Sequence, residues 1–188
     1  MAAVTPIETP TTDELREFYE QMDRTSGGLG VLNVFKVMAH SPALMRSWWG
    51  MMVVLFGRLE LDPRLRELAI LRLFQIKRTA YGFAHHVRFG KEIGLTDEQI
   101  GALDRYPESD LLAPLEKLVL QYTDAVTTMD RSSADLASAL REHLSEQEVV
   151  ELTFCIANWN LMAHLLLPLE IELEPAAREF LPEGWEGS

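Results

Sequence analysis

The sequence predicts an all-α protein, and three observations carry that prediction. Apolar residues recur every three or four positions, as at Leu111, Leu115, Leu118, Tyr122 and Ala125. Helix start signals, either hydroxyl caps followed by acids or Ser-Pro and Asp-Pro pairs, punctuate the chain at short intervals. No segment alternates apolar and polar residues with turns at hairpin spacing. With 188 residues, 47% of them apolar, the chain reads as one domain with a real core. That domain takes in residues 1–188, with a core at about 12–175 and loose or partner-docked tails.

The elements follow in order. Thr11-Thr-Asp-Glu14 fits a capping box, and Leu15, Phe18, Tyr19 and Met22 follow at helical spacing. Gly27, Gly28 and Gly30 break the chain; without the Lys-Ser/Thr ending of a P-loop they read as a turn. Ser41-Pro42 starts a helix to about Leu59, and Asp62-Pro63 one to about Ile76. Thr79 begins a helix to Ile93 that Gly94 stops. Thr96-Asp-Glu-Gln99 caps a short helix ending before Pro107, and the Leu111–Ala125 pattern gives a longer one. Ser132 or Ser133 caps a helix carrying Leu136, Leu140 and His143. Ser145-Glu-Gln-Glu148 caps the last, which reaches Leu167 before Pro168. Val149–Leu167 is apolar on nearly every side, and Trp48, Trp49, Met51 and Met52 crowd an earlier helix. Such helices sit at the centre of a core or are covered by a second subunit.

The charge of the chain narrows its partners. Acids outnumber bases 29 to 17, a formal charge of −12, which argues against nucleic acid. Arg64, Arg66, Arg72, Lys77 and Arg78 form a modest basic cluster that reads as a solvated helix face. Cys155 is the single cysteine, so no disulfide closes within the chain and nothing suggests an oxidising compartment. No signal peptide is legible, and stretches such as Trp48–Phe56 fall short of the roughly 20 residues that cross a bilayer. The expectation is a cytoplasmic protein with no nucleic-acid or membrane partner.

The chemistry concentrates in Glu67-Leu-Ala-Ile-Leu-Arg72 and Thr79-Ala-Tyr-Gly-Phe-Ala-His-His86. At helical spacing His86 shares the face of Gly82, Phe83 and Gly90 and points inward. Tyr81 and His85, four residues apart, share the next strip. Glu67 sits among Leu65, Leu68 and Ala69, where an acid is costly unless paired or functional. A Glu67–His86 pair would hold the imidazole in one tautomer and raise its pKa, as an acid/base group needs. The alternative for Glu67 is a structural ion pair with Arg64, Arg66 or Arg72. His85 and His86 cannot ligate one ion from one helix face, so no metal site is expected. Asn158, Asn160 and His164 are polar groups inside the most apolar helix. They either bond to one another and to backbone or line a pocket walled by Trp159. Cys155 reads as a buried, inert thiol.

On these residues the chain resembles the carboxymuconolactone decarboxylase / alkylhydroperoxidase D-like superfamily. The likeness covers Ser41–Pro175: Arg66–Arg72, Tyr81-x2-Ala84-x-His86, Gly94-Leu-Thr and Asn160–Pro175. It implies an alkylhydroperoxidase D-like helical bundle assembling as a trimer or hexamer. The peroxidase branch carries Cys-x-x-Cys between its acid and its histidine, where this chain has Thr79 and Gly82. Without a thiolate there, no peroxidatic nucleophile exists. The decarboxylase branch uses neither metal nor organic cofactor. By that resemblance His86 is the general acid/base, Glu67 its orienter and Tyr81 a third catalytic residue. His85, His164, Trp159 and Arg72 contact substrate, with Arg72 binding a carboxylate. The family commonly has Asn-Arg where this chain has Ala163-His164, which points to a neutral or differently shaped ligand. The expectation is a cofactor-independent lyase, or related proton-transfer enzyme, acting on a small carboxylate or carbonyl compound; the alternatives are an alkylhydroperoxidase-like activity, disfavoured without Cys-x-x-Cys, and a non-catalytic small-ligand-binding protein.

Overall fold

In a computed structural model of the chain, residues 3–26, 28–182 and 185 are described. They form nine α-helices and no strand: α1 (Asp13–Thr25), α2 (Asn33–Met38), α3 (Pro42–Gly57), α4 (Pro63–Lys77), α5 (Ala80–Glu92), α6 (Asp97–Gly101), α7 (Pro114–Thr127), α8 (Ser133–Leu140) and α9 (Glu146–Leu166). Two 3-10 turns, Leu103–Glu108 and Pro175–Phe180, complete the chain.

α4 is the hub and packs against α5, α7 and α9. Surrounded on all sides, it buries Leu65 through Leu71, then Leu73 and Phe74. With neighbours on several sides the burial is not confined to one stripe, and the buried set includes Arg66 and Glu67 beside the apolar residues. Asp62 starts it by accepting from the Arg64 N–H at 2.7 Å, with Pro63 at its first turn. Arg78, in the left-handed region at φ 49°, ends it and turns the chain into α5.

The capping boxes at Thr96 and Ser145 form as expected. The first cap is shifted by one residue: Thr12, not Thr11, accepts from the Leu15 N–H at 3.2 Å. α6 ends at Gly101, before Pro107 as expected, and a separate 3-10 turn then runs through that proline. Within the expected glycine turn, Gly28 (φ 94°) and Gly30 (φ 71°) adopt positive φ; Gly27 lies outside the described residues, as do 1, 2, 183, 184 and 186–188 of the tails. The rest of the N-terminal tail is docked. Ala3 N–H bonds to Leu169 O (3.3 Å), Ile7 N–H to Lys36 O (3.0 Å), and Tyr19 Oη to Ile7 O (2.7 Å). Trp185 stacks on Phe83 with ring centroids 4.4 Å apart.

The basic cluster is not a solvated face. Arg66 is buried, Arg72 is engaged by Asp124, and Arg64 by Glu116. α9 is the one helix among the described residues whose 21-residue length and apolarity would suffice to cross a membrane, although 44% of its apolar window is buried within the fold.

Candidate functional site

The site forms where α4 and α5 face each other. Both helices are walled in by neighbours, so each polar group on their inner faces must find a partner. Nδ1 of His86 lies 2.7 Å from Oε2 of Glu67, and both side chains are buried. The second oxygen of Glu67, Oε1, accepts from Nε of Arg66 at 3.0 Å. Arg66 in turn donates Nη1–H to Leu55 O at 3.0 Å and lies over the Phe56 ring at 5.0 Å. Glu67 thus serves both of the roles left open for it: it pairs with an arginine and it orients a histidine.

An ionised carboxylate only accepts, so Nδ1 of His86 carries the proton and Nε2 holds the lone pair. Nε2 has no hydrogen-bond partner among the described residues, and the ring lines a cavity of about 390 Å³. Trp159 meets His86 edge-on at 4.4 Å, while Phe56 stacks on it at 6.1 Å. The expected rise in the imidazole pKa is reversed. Burial pushes His86 below its usual value, and the Glu67 carboxylate, pulling the other way, does not make up the difference. His86 is therefore a neutral base at rest.

A second acid completes the wall. Oε2 of Glu174 lies 2.7 Å from Nε2 of His85, and its Oε1 accepts from Tyr81 Oη at 2.8 Å and from the Asn33 N–H at 2.5 Å. Tyr81 Oη also accepts from the Val34 N–H at 3.2 Å. Glu174 and Tyr81 together thus satisfy the open first turn of α2. Burial works to raise the Glu174 pKa, but the hydrogen bond and charge of His85 and the Asn33 N–H outweigh it and hold the acid ionised. Burial, then the charge of Glu174, pushes Tyr81 well above the usual phenol value, so it stays protonated.

His85, His86, Tyr81 and Trp159 all line the one cavity, with Glu67 behind His86. Both adjacent histidines reach it, because the cavity wraps around the 100° that separates them. Two expected residues lie elsewhere. Arg72 is held by Asp124 (Nε–Oδ1 2.7 Å, Nη2–Oδ2 3.1 Å), Gln75 and Leu103 O on the side of α4 facing α7. His164 is exposed, its Nδ1 2.7 Å from Asn160 O one turn back. Asn160 likewise bonds within α9, to Ile156 O at 3.1 Å. Asn158 accepts from Trp48 Nε1 at 3.4 Å, and its amide nitrogen has no partner among the described residues.

Sequence reasoning missed Glu174. It closes the run Glu170-Ile-Glu-Leu-Glu174, where alternating acids read as solvated, and nothing local marks one of them as buried. Cys155 is fully buried on α9 and does not line the cavity; burial, then the charge of Glu67, pushes its thiol up to about 12. Where the peroxidase branch has its second cysteine, this chain has Gly82, and a Cβ there would lie 2.2 Å from the Phe74 ring. The space for that side chain is already filled.

Comparison with known proteins bears on the family likeness and the fold. The sequence model of the carboxymuconolactone decarboxylase family matches residues 42–125. The uncharacterized protein YdfG of Bacillus subtilis (strain 168) is 29% identical over 100 residues, half of this chain and 68% of that protein. An uncharacterized peroxidase-related protein from Ralstonia eutropha JMP134, an alkylhydroperoxidase AhpD core, superposes with a TM-score of 0.72 at 19% identity, covering 93% of this chain and 96% of that one. The debrominase Bmp8, solved with 2,3,4-tribromopyrrole, gives a TM-score of 0.80 at 16% identity, covering 94% of each chain. The family match takes in α4 and α5, and the all-helical fold is shared with these structures, so the chain resembles the carboxymuconolactone decarboxylase / alkylhydroperoxidase D-like superfamily.

Proposed function

We propose that the chain is a cofactor-independent enzyme of the decarboxylase-like branch that transfers a proton on a small carbonyl compound. The observation that carries this reading is the 2.7 Å Glu67–His86 contact, with the free Nε2 beside a cavity of about 390 Å³. Nε2 takes a proton from the carbon next to a carbonyl, and the electron pair moves onto the carbonyl oxygen as an enolate. The imidazolium so formed is stabilised by Glu67, whose own charge is balanced by Arg66. The same imidazolium then returns the proton, to that carbon or to one further along the conjugated system. A ring-sized ligand is in keeping with the debrominase of similar fold, which was solved in complex with 2,3,4-tribromopyrrole.

The test is solvent deuterium incorporation, followed by proton NMR, across a panel of enolisable ketones and lactones. Exchange at one position by the native chain, abolished in His86→Ala, is expected. Exchange that survives that substitution would remove His86 as the base.

A thiol peroxidase using Cys155 is the competing reading. It is opposed by the buried, protonated thiol, since only the thiolate attacks peroxide. Oxidation of Cys155 in the folded chain by stoichiometric peroxide would revive it.

The same reading includes a cytoplasmic homo-oligomer, a trimer or hexamer. Val150, Phe154 and Leu161 form an exposed apolar stripe on α9, and Leu44, Val53 and Val54 are exposed on α3. Surface of that kind is normally covered. Sedimentation as a monomer at micromolar concentration would contradict it.

A further inference from the structure

We infer that the cavity selects a neutral, planar, single-ring ligand with an acidic O–H or N–H, of the phenol or enol type, and rejects a carboxylate. This rests on the reading of His86 as a neutral base. It narrows that reading from carbonyl and carboxylate compounds to one charge class.

The charges decide it. Arg66, Glu67 and neutral His86 sum to zero, and the arginine is spent on Glu67 and on Leu55 O. Glu174 is ionised, so with His85 it sums to zero if that imidazole is protonated and to −1 if it is not. No protonation state of His85 gives the inner wall a surplus positive charge. Among the described residues lining the cavity, the one permanently cationic side chain is Arg88, on the last turns of α5, paired with Glu92 (3.2 Å) and with Ser26 O (3.0 Å). Arg72, the residue expected to hold a carboxylate, is on the far side of α4. An anion entering this site would leave water and gain no counter-charge, which is costly in an apolar enclosure.

The hydrogen-bonding pattern points the same way. Glu67 fixes the His86 proton on Nδ1 and leaves Nε2 as an acceptor. Tyr81 donates its one hydroxyl hydrogen bond to Glu174 and so has none to offer a ligand. The wall therefore asks for a donor. Trp48, Trp49, Phe56, Phe74, Phe89 and Trp159 line the remainder and favour a flat π-face.

Three of the four tryptophans, Trp48, Trp49 and Trp159, line the cavity, so quenching of their fluorescence reports binding directly. The native full chain is titrated with phenol, anisole and benzoate, three rings of similar size. Phenol is expected to bind at least about tenfold more tightly than anisole, which has lost the donor, and than benzoate, which carries a charge. In His86→Leu the advantage of phenol over anisole should fall to about twofold or less. If that variant does not fold, the three native titrations decide alone. Benzoate binding as tightly as phenol, anisole matching phenol, or no quenching by any of them each overturns the inference. Deuterium exchange is read separately. His86-dependent exchange together with a preference for benzoate would keep proton transfer and discard the neutral ligand. Phenol selectivity without exchange by any carbonyl compound would keep the ligand class and discard the enzyme.

Discussion

Replacing Gly82 by alanine should destabilise the protein, although the same change in an ordinary helix interior stabilises it by about 1 kcal/mol. Gly82 lies inside α5, and the added Cβ would stand 2.2 Å from Cε1 and Cζ of Phe74 and 2.5 Å from Cδ1. That is about 1 Å short of an ordinary contact, so the ring must move. Phe74 is fully buried, with its ring 5.6 Å from His86 and 5.8 Å from Trp159, so displacement passes directly to the site. Overpacking of this kind costs about 1–3 kcal/mol, and more where nothing yields. Set against the propensity gain, the expected net loss is about 1–2 kcal/mol. Urea unfolding of the native chain and Gly82→Ala measures it. In a Phe74→Leu background the same substitution should cost less, because the obstructing ring is gone, and the double-mutant cycle reads that coupling. Gly82→Ala more stable than the native chain, or strictly additive effects, would refute the argument. The same obstruction predicts that restoring Cys-x-x-Cys with Thr79→Cys and Gly82→Cys will not yield a well-packed peroxidase.

Four further outcomes are expected. Glu67→Gln should cost about 3–5 kcal/mol in urea unfolding, because it leaves Arg66 buried without its counter-charge; adding Arg66→Met should recover part of that loss. Arg72→Leu should lower stability through Asp124 yet leave the ratio of phenol to benzoate affinity unchanged, since Arg72 does not reach the cavity. His164→Ala should stay within about 0.5 kcal/mol of native stability and leave ligand affinity unaltered. The last outcome concerns pH. The His86 pKa is lowered on folding, so the unfolded chain holds more protons between the folded value and the unfolded value of about 6.5. Stability from this group therefore rises with pH through that window, is fully present above it, and is lost as pH falls. The difference in urea midpoint between the native chain and His86→Gln should shrink on acidification. A difference that grows would mean His86 is protonated in the folded state.

How much of this was legible follows from what each residue does locally. Caps are decided by a few neighbouring residues, so the Thr96 and Ser145 boxes and the Ser41-Pro42 and Asp62-Pro63 starts were readable. α2 was not, because six residues bracketed by glycine turns and Ser-Pro carry too little periodicity. Glu67 and His86 were legible as a pair because each is a polar residue on an apolar face, which demands a partner. Arg72 misled for the opposite reason. It is one turn from Glu67 in sequence, but a helix places it beside Asp124 on α7, and that acid is 52 positions away. His164 was not decidable, because an apolar helix does not show in its sequence which side faces outward, and α9 turns the His164 side out with the ring bonded to backbone. The direction of the His86 pKa was not available either: it depends on how much water the walls exclude, and the walls come from five segments of chain.

The most direct test is long-range nitrogen–proton correlation NMR of the His86 imidazole in the native chain at neutral pH, assigned by its absence in His86→Gln. A neutral ring with its proton on Nδ1 and a pyridine-type Nε2 is expected. A doubly protonated ring, or a proton on Nε2, would contradict it and leave the cavity without a base.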